Sequence, residues 1–169
     1  MKANKKEIFI KTIDDHKKII YKIVNSYCQN REHRKDLEQE IIIQLWNAFD
    51  NYNKKYKYST WMYRIALNVA ISFYRKEKKL SIKNDFYNEV SIFSMVDDNE
   101  DNETELDHHL KLLQKFINNL NELNKALMLL YLEEKNYEEI AEVLGITKTN
   151  VATKINRIKL KLKKEFQNI

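Results

Sequence analysis

Two stretches of the chain set cationic and hydrogen-bonding side chains in patterns suited to nucleic acid. In the first, residues 148–164, Lys148, Lys154, Arg157, Lys159, Lys161, Lys163 and Lys164 occur without one acidic residue. On a helix entering a major groove, Lys148, Thr149, Asn150, Thr153 and Lys154 would be offered to base edges. Arg157 and the later lysines would then meet phosphates. In the second stretch, residues 61–79, Arg64, Asn68, Arg75 and Lys79 fall within about 60° of one another at about 100° per helical residue. That stripe could track a phosphate backbone and leave an amide for a base. The preceding loop adds Tyr52, Lys54, Lys55, Tyr56, Lys57 and Tyr58; aromatic rings on a cationic surface suit unpaired bases, whose π faces are free to stack. The competing uses are ordinary ones: a solvated terminal helix for the lysines, and core packing for Trp61 and Phe73.

Nothing in the sequence suggests catalysis. Glu38 and Glu40 cannot share a helical face, and no carboxylate pair, nucleophile with base, or phosphate-binding loop is present. His16, His33, His108 and His109 are not at zinc-ligand spacing with Cys or with one another, so they read as solvated and no metal or cofactor is expected. Cys28 is the only cysteine, which excludes an internal disulfide. The N-terminal apolar run "IFI" is too short for a signal peptide, and no run approaches the roughly 18 apolar residues that span a bilayer. A cytoplasmic protein without membrane insertion is expected.

The elements that must position these residues are helical. A chain of 169 residues with one glycine and no proline has little to interrupt helices. Apolar periodicity of 3.6 predicts helices over 14–27, 34–49 and 61–79, with Ser59 or Thr60 capping the third and Met62, Ile65, Ala66, Val69 and Phe73 on its buried side. Further helices are expected over 110–120, 124–132, 137–144 and 148 to about 164. Charge divides the chain into three. Residues 1–83 hold 19 basic and 9 acidic side chains, residues 84–109 hold 9 acidic and no Lys or Arg, and residues 110–169 hold 11 basic and 7 acidic. Two basic helical domains, 1–83 and 110–169, are therefore expected about a flexible acidic linker, 84–109, in which "VSIFSMV" could dock on either. The fold class is all-α.

Gly145, the sole glycine, punctuates "YEEIAEVLGITKTNVATKINRIK". Ile140, Ala141 and Leu144 face inward before it, and Val151 and Ile155 after it. That pattern predicts a helix-turn-helix in which glycine takes positive φ and Thr147 caps the second helix. On the helix over 34–49, Ile43 projects with Asp36, Gln39, Glu40 and Asn47, a lone apolar residue on a polar face.

Together these segments resemble an extracytoplasmic-function sigma factor of bacterial RNA polymerase. "HRKDLEQEIIIQLWNAFDNY" is similar to the family's polymerase-binding segment in Asp36, Leu37, Gln39, Glu40 and Trp46. "STWMYRIALNVAISFYRKEKK" is similar to its promoter-melting segment in Trp61, Arg64, Ile65, Ala66 and Asn68, and the glycine turn is similar to its terminal domain. The resemblance implies a non-enzymatic initiation factor that binds core RNA polymerase through Asp36, Leu37, Gln39 and Glu40, and Ile43, the lone apolar residue on that polar face, is a further candidate for the contact. The resemblance also implies that the melted non-template strand of the minus-ten element meets Lys55, Tyr56, Lys57, Trp61, Arg64, Asn68, Arg75 and Lys79. It further implies that the duplex minus-thirty-five element meets Lys148, Thr149, Asn150, Thr153, Lys154 and Arg157, and that an anti-sigma factor can be among the partners. Two departures stand out. Thr153 and Lys154 replace a Ser-Arg pair, and Lys cannot make the bidentate contact of Arg to guanine. The loop "NKKYKYS" lacks the family's Gly or Pro. A conventional helix-turn-helix regulator explains the C-terminal half as well, but not the stripe of Arg64 and Asn68.

Overall fold

Seven α-helices and no strand make up the described residues of the computed structural model, which are 2–28, 30–84 and 105–167. The order is α1 (Lys2–Tyr27), α2 (Arg31–Ala48), a 3-10 turn (Phe49–Asn51), α3 (Tyr58–Asn84), α4 (Glu105–Asn118), α5 (Glu122–Leu132), α6 (Tyr137–Leu144) and α7 (Lys148–Gln167).

Helices α1 to α3 form the first unit. α2 contributes Leu37, Ile41 and Leu45 at four-residue spacing, each fully buried, and α1 contributes Ile20, Ile23, Val24 and Tyr27. Burying a side chain of this size stabilises the fold by about 1.5–3 kcal/mol. Asn30 starts α2 by accepting the Glu32 N–H at 2.9 Å. α1 begins well before the expected residue 14: Phe9 is buried and meets Trp46 and Phe49 edge-on at 5.0 and 5.2 Å. The lysines of the first turns hide this start in the sequence, because solvated cations obscure the period of the few apolar residues among them.

α3 also starts earlier than expected, at Tyr58, so Ser59 and Thr60 lie within its first turn and do not cap it. Its buried face is Met62, Tyr63, Ala66, Leu67 and Ala70. Of the five residues expected inside, Met62 and Ala66 are buried, whereas Ile65, Val69 and Phe73 are only half-buried, which shifts the core side from the arc expected. The error has a simple source: α3 is apolar over more than half its circumference, so periodicity alone does not select the innermost arc.

In the second unit, Glu105 to His109, expected in the linker, are the first residues of α4, and Asn84, expected to open the linker, is the last of α3; the linker residues 85–104, "VSIFSMV" included, lie outside the described residues. Two helices here end in the same way. The Ile146 N–H reaches the Ala141 carbonyl at 3.1 Å, and the Lys135 N–H reaches the Leu130 carbonyl at 3.1 Å. Each closure needs one left-handed residue: Gly145 at φ 66 and, unexpectedly, Glu134 at φ 57. An L-residue in that region is strained by about 1–2 kcal/mol, which for Glu134→Gly is offset in part by the freer unfolded chain. Glu134→Gly should therefore hold or slightly raise stability in denaturant melts, while Glu134→Val should lower it by about 1–3 kcal/mol.

The two units pack against each other across α3, which touches both α5 and α6.

Candidate nucleic-acid interface

The turn between α6 and α7 is built from local hydrogen bonds. Asn136 caps α6 by accepting the N–H groups of Glu138 and Glu139 at 3.0 and 2.9 Å, and Glu139 Oε2 accepts the Asn136 N–H at 3.1 Å. Thr147 caps α7, accepting the Asn150 N–H at 3.1 Å. Ile140, Val143, Val151, Ile155 and Ile158 are buried between the helices. This fixes the outward side of α7, where Thr149, Asn150, Thr153, Asn156 and Arg157 are exposed. The Thr153 hydroxyl donates to the Thr149 carbonyl at 2.9 Å, so it turns a methyl and acceptor lone pairs outward. The lysines are less free than their sequence suggests. Lys148 binds Glu138 at 2.6 Å and holds that carboxyl below its usual range. Lys159 lies over the Tyr131 ring at 4.3 Å and donates to its hydroxyl, which raises the lysine and pins α7 to α5. Lys154 is half-buried at the flank.

On α3, Arg64, Asn68, Arg75 and Lys79 are all exposed. The preceding loop carries exposed Lys55, Tyr56 and Lys57 beside a packed aromatic group. Tyr52 stacks on Tyr58 at 4.3 Å and meets Trp61 edge-on at 5.4 Å, with Phe49 6.0 Å from Trp61. Trp61 thus serves the packing use and braces the loop. Asn53 supplies the turn that Gly or Pro would give: its side chain accepts the Lys55 N–H at 3.0 Å and its carbonyl the Tyr56 N–H at 3.1 Å. The Tyr52 hydroxyl donates to the Tyr56 carbonyl and closes the loop.

The outer face of α2 presents Asp36, Gln39, Glu40 and Ile43 to solvent, the isoleucine half exposed. Leu37 does not join them; it is fully buried and supports the helix from inside. A groove of about 760 Å³ runs between α2 and α3, with Asp36, Glu40 and Gln44 on one wall and Asn68, Ser72 and Lys76 on the other. The groove brings Asn68 together with two residues assigned to polymerase.

Residues 12–80 match the family model for sigma-70 region 2 and residues 110–162 that for sigma-70 region 4. The chain is 26% identical to the ECF RNA polymerase sigma factor SigW of Bacillus subtilis (strain 168), over 100% of this chain and 94% of that one. It is 27% identical to RNA polymerase sigma factor SigV of the same organism, over 92% and 89%. The chain belongs to the extracytoplasmic-function sigma factors. Two solved structures share the fold at 17% identity. RpoE from Bartonella quintana, in complex with the anti-sigma factor NepR, has a TM-score of 0.65 over 99% of this chain and 98% of that one. CnrH, in complex with the cytosolic domain of CnrY, has 0.67 over 96% and 90%. Sigma factors act in transcription initiation, and the two helical surfaces are those of the matched regions.

In this sigma factor the residue that sequence reasoning missed is Asn156. It lies about 60° from Thr153 on the helical wheel and shares its exposed face; the arithmetic that found Asn68 would have found it. Also missed was the pairing of His33 with Glu77 across α2 and α3. Among the described residues no group of His, Cys, Asp and Glu could hold a metal ion, and no helix is long and apolar enough to cross a membrane.

Proposed function

We propose that this sigma factor docks on core RNA polymerase with the outer face of α2 (Asp36, Gln39, Glu40 and Ile43) and directs it to promoters. α7 reads the minus-thirty-five element as duplex, and α3 with its preceding loop holds the melted minus-ten strand. The chain itself makes and breaks no bond. The observation that carries the reading is the exposed face of Thr149, Asn150, Thr153, Asn156 and Arg157, held by a buried apolar seam at a glycine turn. Its chemistry suits A·T pairs, because an amide can pair bidentately with adenine and a threonine methyl can meet the thymine methyl. On the melted side, unpairing costs a few kcal/mol, offset by contacts to the captured bases. The solved RpoE carries the anti-sigma factor NepR, so an anti-sigma factor belongs among the candidate partners.

Run-off transcription with core polymerase tests the reading when paired with footprinting of two variants. Arg157→Ala removes a duplex phosphate contact and should weaken closed-complex formation, with the salt slope reduced by about one unit. Asn68→Ala should leave closed binding intact and lower permanganate reactivity of thymines at the start site. Normal opening together with lost closed binding in Asn68→Ala would overturn the division of labour.

A further inference from the structure

The outward face of α7 has a finer order than its composition shows. Asn150, Thr153 and Asn156 stand three residues apart, and all three are exposed. Each step of three residues advances the helix by about 4.5 Å and leaves the next side chain about 60° round. The three therefore form one slanted ridge about 9 Å long, an amide, a threonine and a second amide. Its middle member points most directly outward. Buried Val151, Ile155 and Ile158 centre on a direction that Thr153 opposes to within about 15°.

The chemistry of each member is set by what it already bonds. The Thr153 hydroxyl donates to the Thr149 carbonyl at 2.9 Å, so it has no donor left for a base and its methyl faces outward. Among the described residues the side-chain amides of Asn150 and Asn156 have no hydrogen-bond partner. The neighbouring lysines stand aside: Lys148 is held by Glu138 at 2.6 Å, and Lys154 is half-buried at the flank. No Lys or Arg belongs to the ridge, and these are the side chains that read guanine.

We propose that Asn150, Thr153 and Asn156 are a ruler for three successive A·T pairs, the outer two read on adenine and the middle one on thymine. The ruler rests on the function proposed above and gives α7 a defined target. An asparagine amide donates to adenine N7 and accepts from its amino group, while thymine alone carries a C5-methyl for the threonine to meet. The first and third pairs lie about 7 Å apart along the duplex, a length that the slanted ridge covers.

The full chain with core polymerase is used to select duplexes from a library randomised across the upstream element. The selected duplexes should share three successive A·T pairs. In one of them, deoxyuridine replaces the thymine of the middle pair and removes only its methyl. Closed-complex affinity should then fall about fourfold for wild type and for Thr153→Val, which keeps a methyl, and stay level for Thr153→Ser. 7-Deazaadenine in either outer pair removes the N7 acceptor and should weaken wild-type binding about fivefold. Asn150→Ala should be indifferent to it at one outer pair, and Asn156→Ala at the other. A selected element without the three pairs overturns the ruler, as does an equal deoxyuridine loss in the serine variant. An A·T run whose modified bases leave wild-type affinity unchanged also sinks it, because DNA shape alone would then make the choice. These arms on wild-type protein depend on no variant folding. If no complex forms with core polymerase, the proposed function fails and the ruler with it; a complex that forms but ignores the modified bases sinks the ruler alone.

Discussion

Leu37→Ala should lower the unfolding free energy by about 2–5 kcal/mol, whereas Gln39→Ala with Glu40→Lys on the same helix should lower it by less than about 1. Leu37 is fully enclosed with Ile41 and Leu45, so truncation loses transfer free energy and leaves a cavity that the helices fill only partly. Gln39 and Glu40 point into solvent. Glu40 meets Gln44 at 2.8 Å, an exposed contact of small worth. The expected contrast is therefore complete. The first variant should unfold early in denaturant, monitored by circular dichroism. The second should melt almost as wild type yet fail to co-purify with core polymerase. Undiminished core affinity in the folded double variant would remove the outer face of α2 from the interface, and an unaltered melt for Leu37→Ala would contradict the packing.

Replacing Gly145 is expected to separate recognition from folding. Its φ of 66 lies where L side chains are strained, yet a Cβ built there meets nothing within 4 Å. The penalty of Gly145→Val is thus one of backbone conformation, about 1–3 kcal/mol, with no clash added. The chain can accept that strain or swing α7 to relieve it. Either way, binding of a duplex minus-thirty-five element should fall at least tenfold while the first unit keeps its melting profile. Gly145→Asn, which tolerates the left-handed region, should retain most of the affinity. Wild-type binding by the valine variant would mean that the turn does not set the pose of α7.

The comparison between those two turns explains what the sequence discloses. Gly145 was legible because glycine is the residue that takes positive φ without cost, and the apolar positions around it repeat at helical spacing. Glu134 does the same work at the end of α5 and was invisible, since glutamate is no signal of a left-handed position. Arg64, Asn68 and the α2 face were legible for a related reason: they share one helix, and angles along one helix follow from numbering. Asn156 was equally accessible to that arithmetic. The contact between the units was not. Its pairs, such as Lys22 with Glu133 and Arg75 with Glu122, join residues far apart in sequence, and no local period records them. Periodicity places Leu37 inward with Ile41 and Leu45, while the family pattern names it among the polymerase-binding residues: such a pattern marks that a residue matters, and burial decides whether it matters by contact or by support.

Cys28 ends α1 with consequences for how the protein meets oxidants. Its thiol has no exposed surface, donates to the Asn30 carbonyl at 3.3 Å, and is raised above its usual range chiefly by burial, with Glu77 adding to the effect. Peroxide and disulfide reagents attack the thiolate, which is scarce here and out of reach. The only sulfhydryl in the chain is therefore shielded rather than poised as a sensor. A thiol-based response to oxidants would therefore need a cysteine on another molecule.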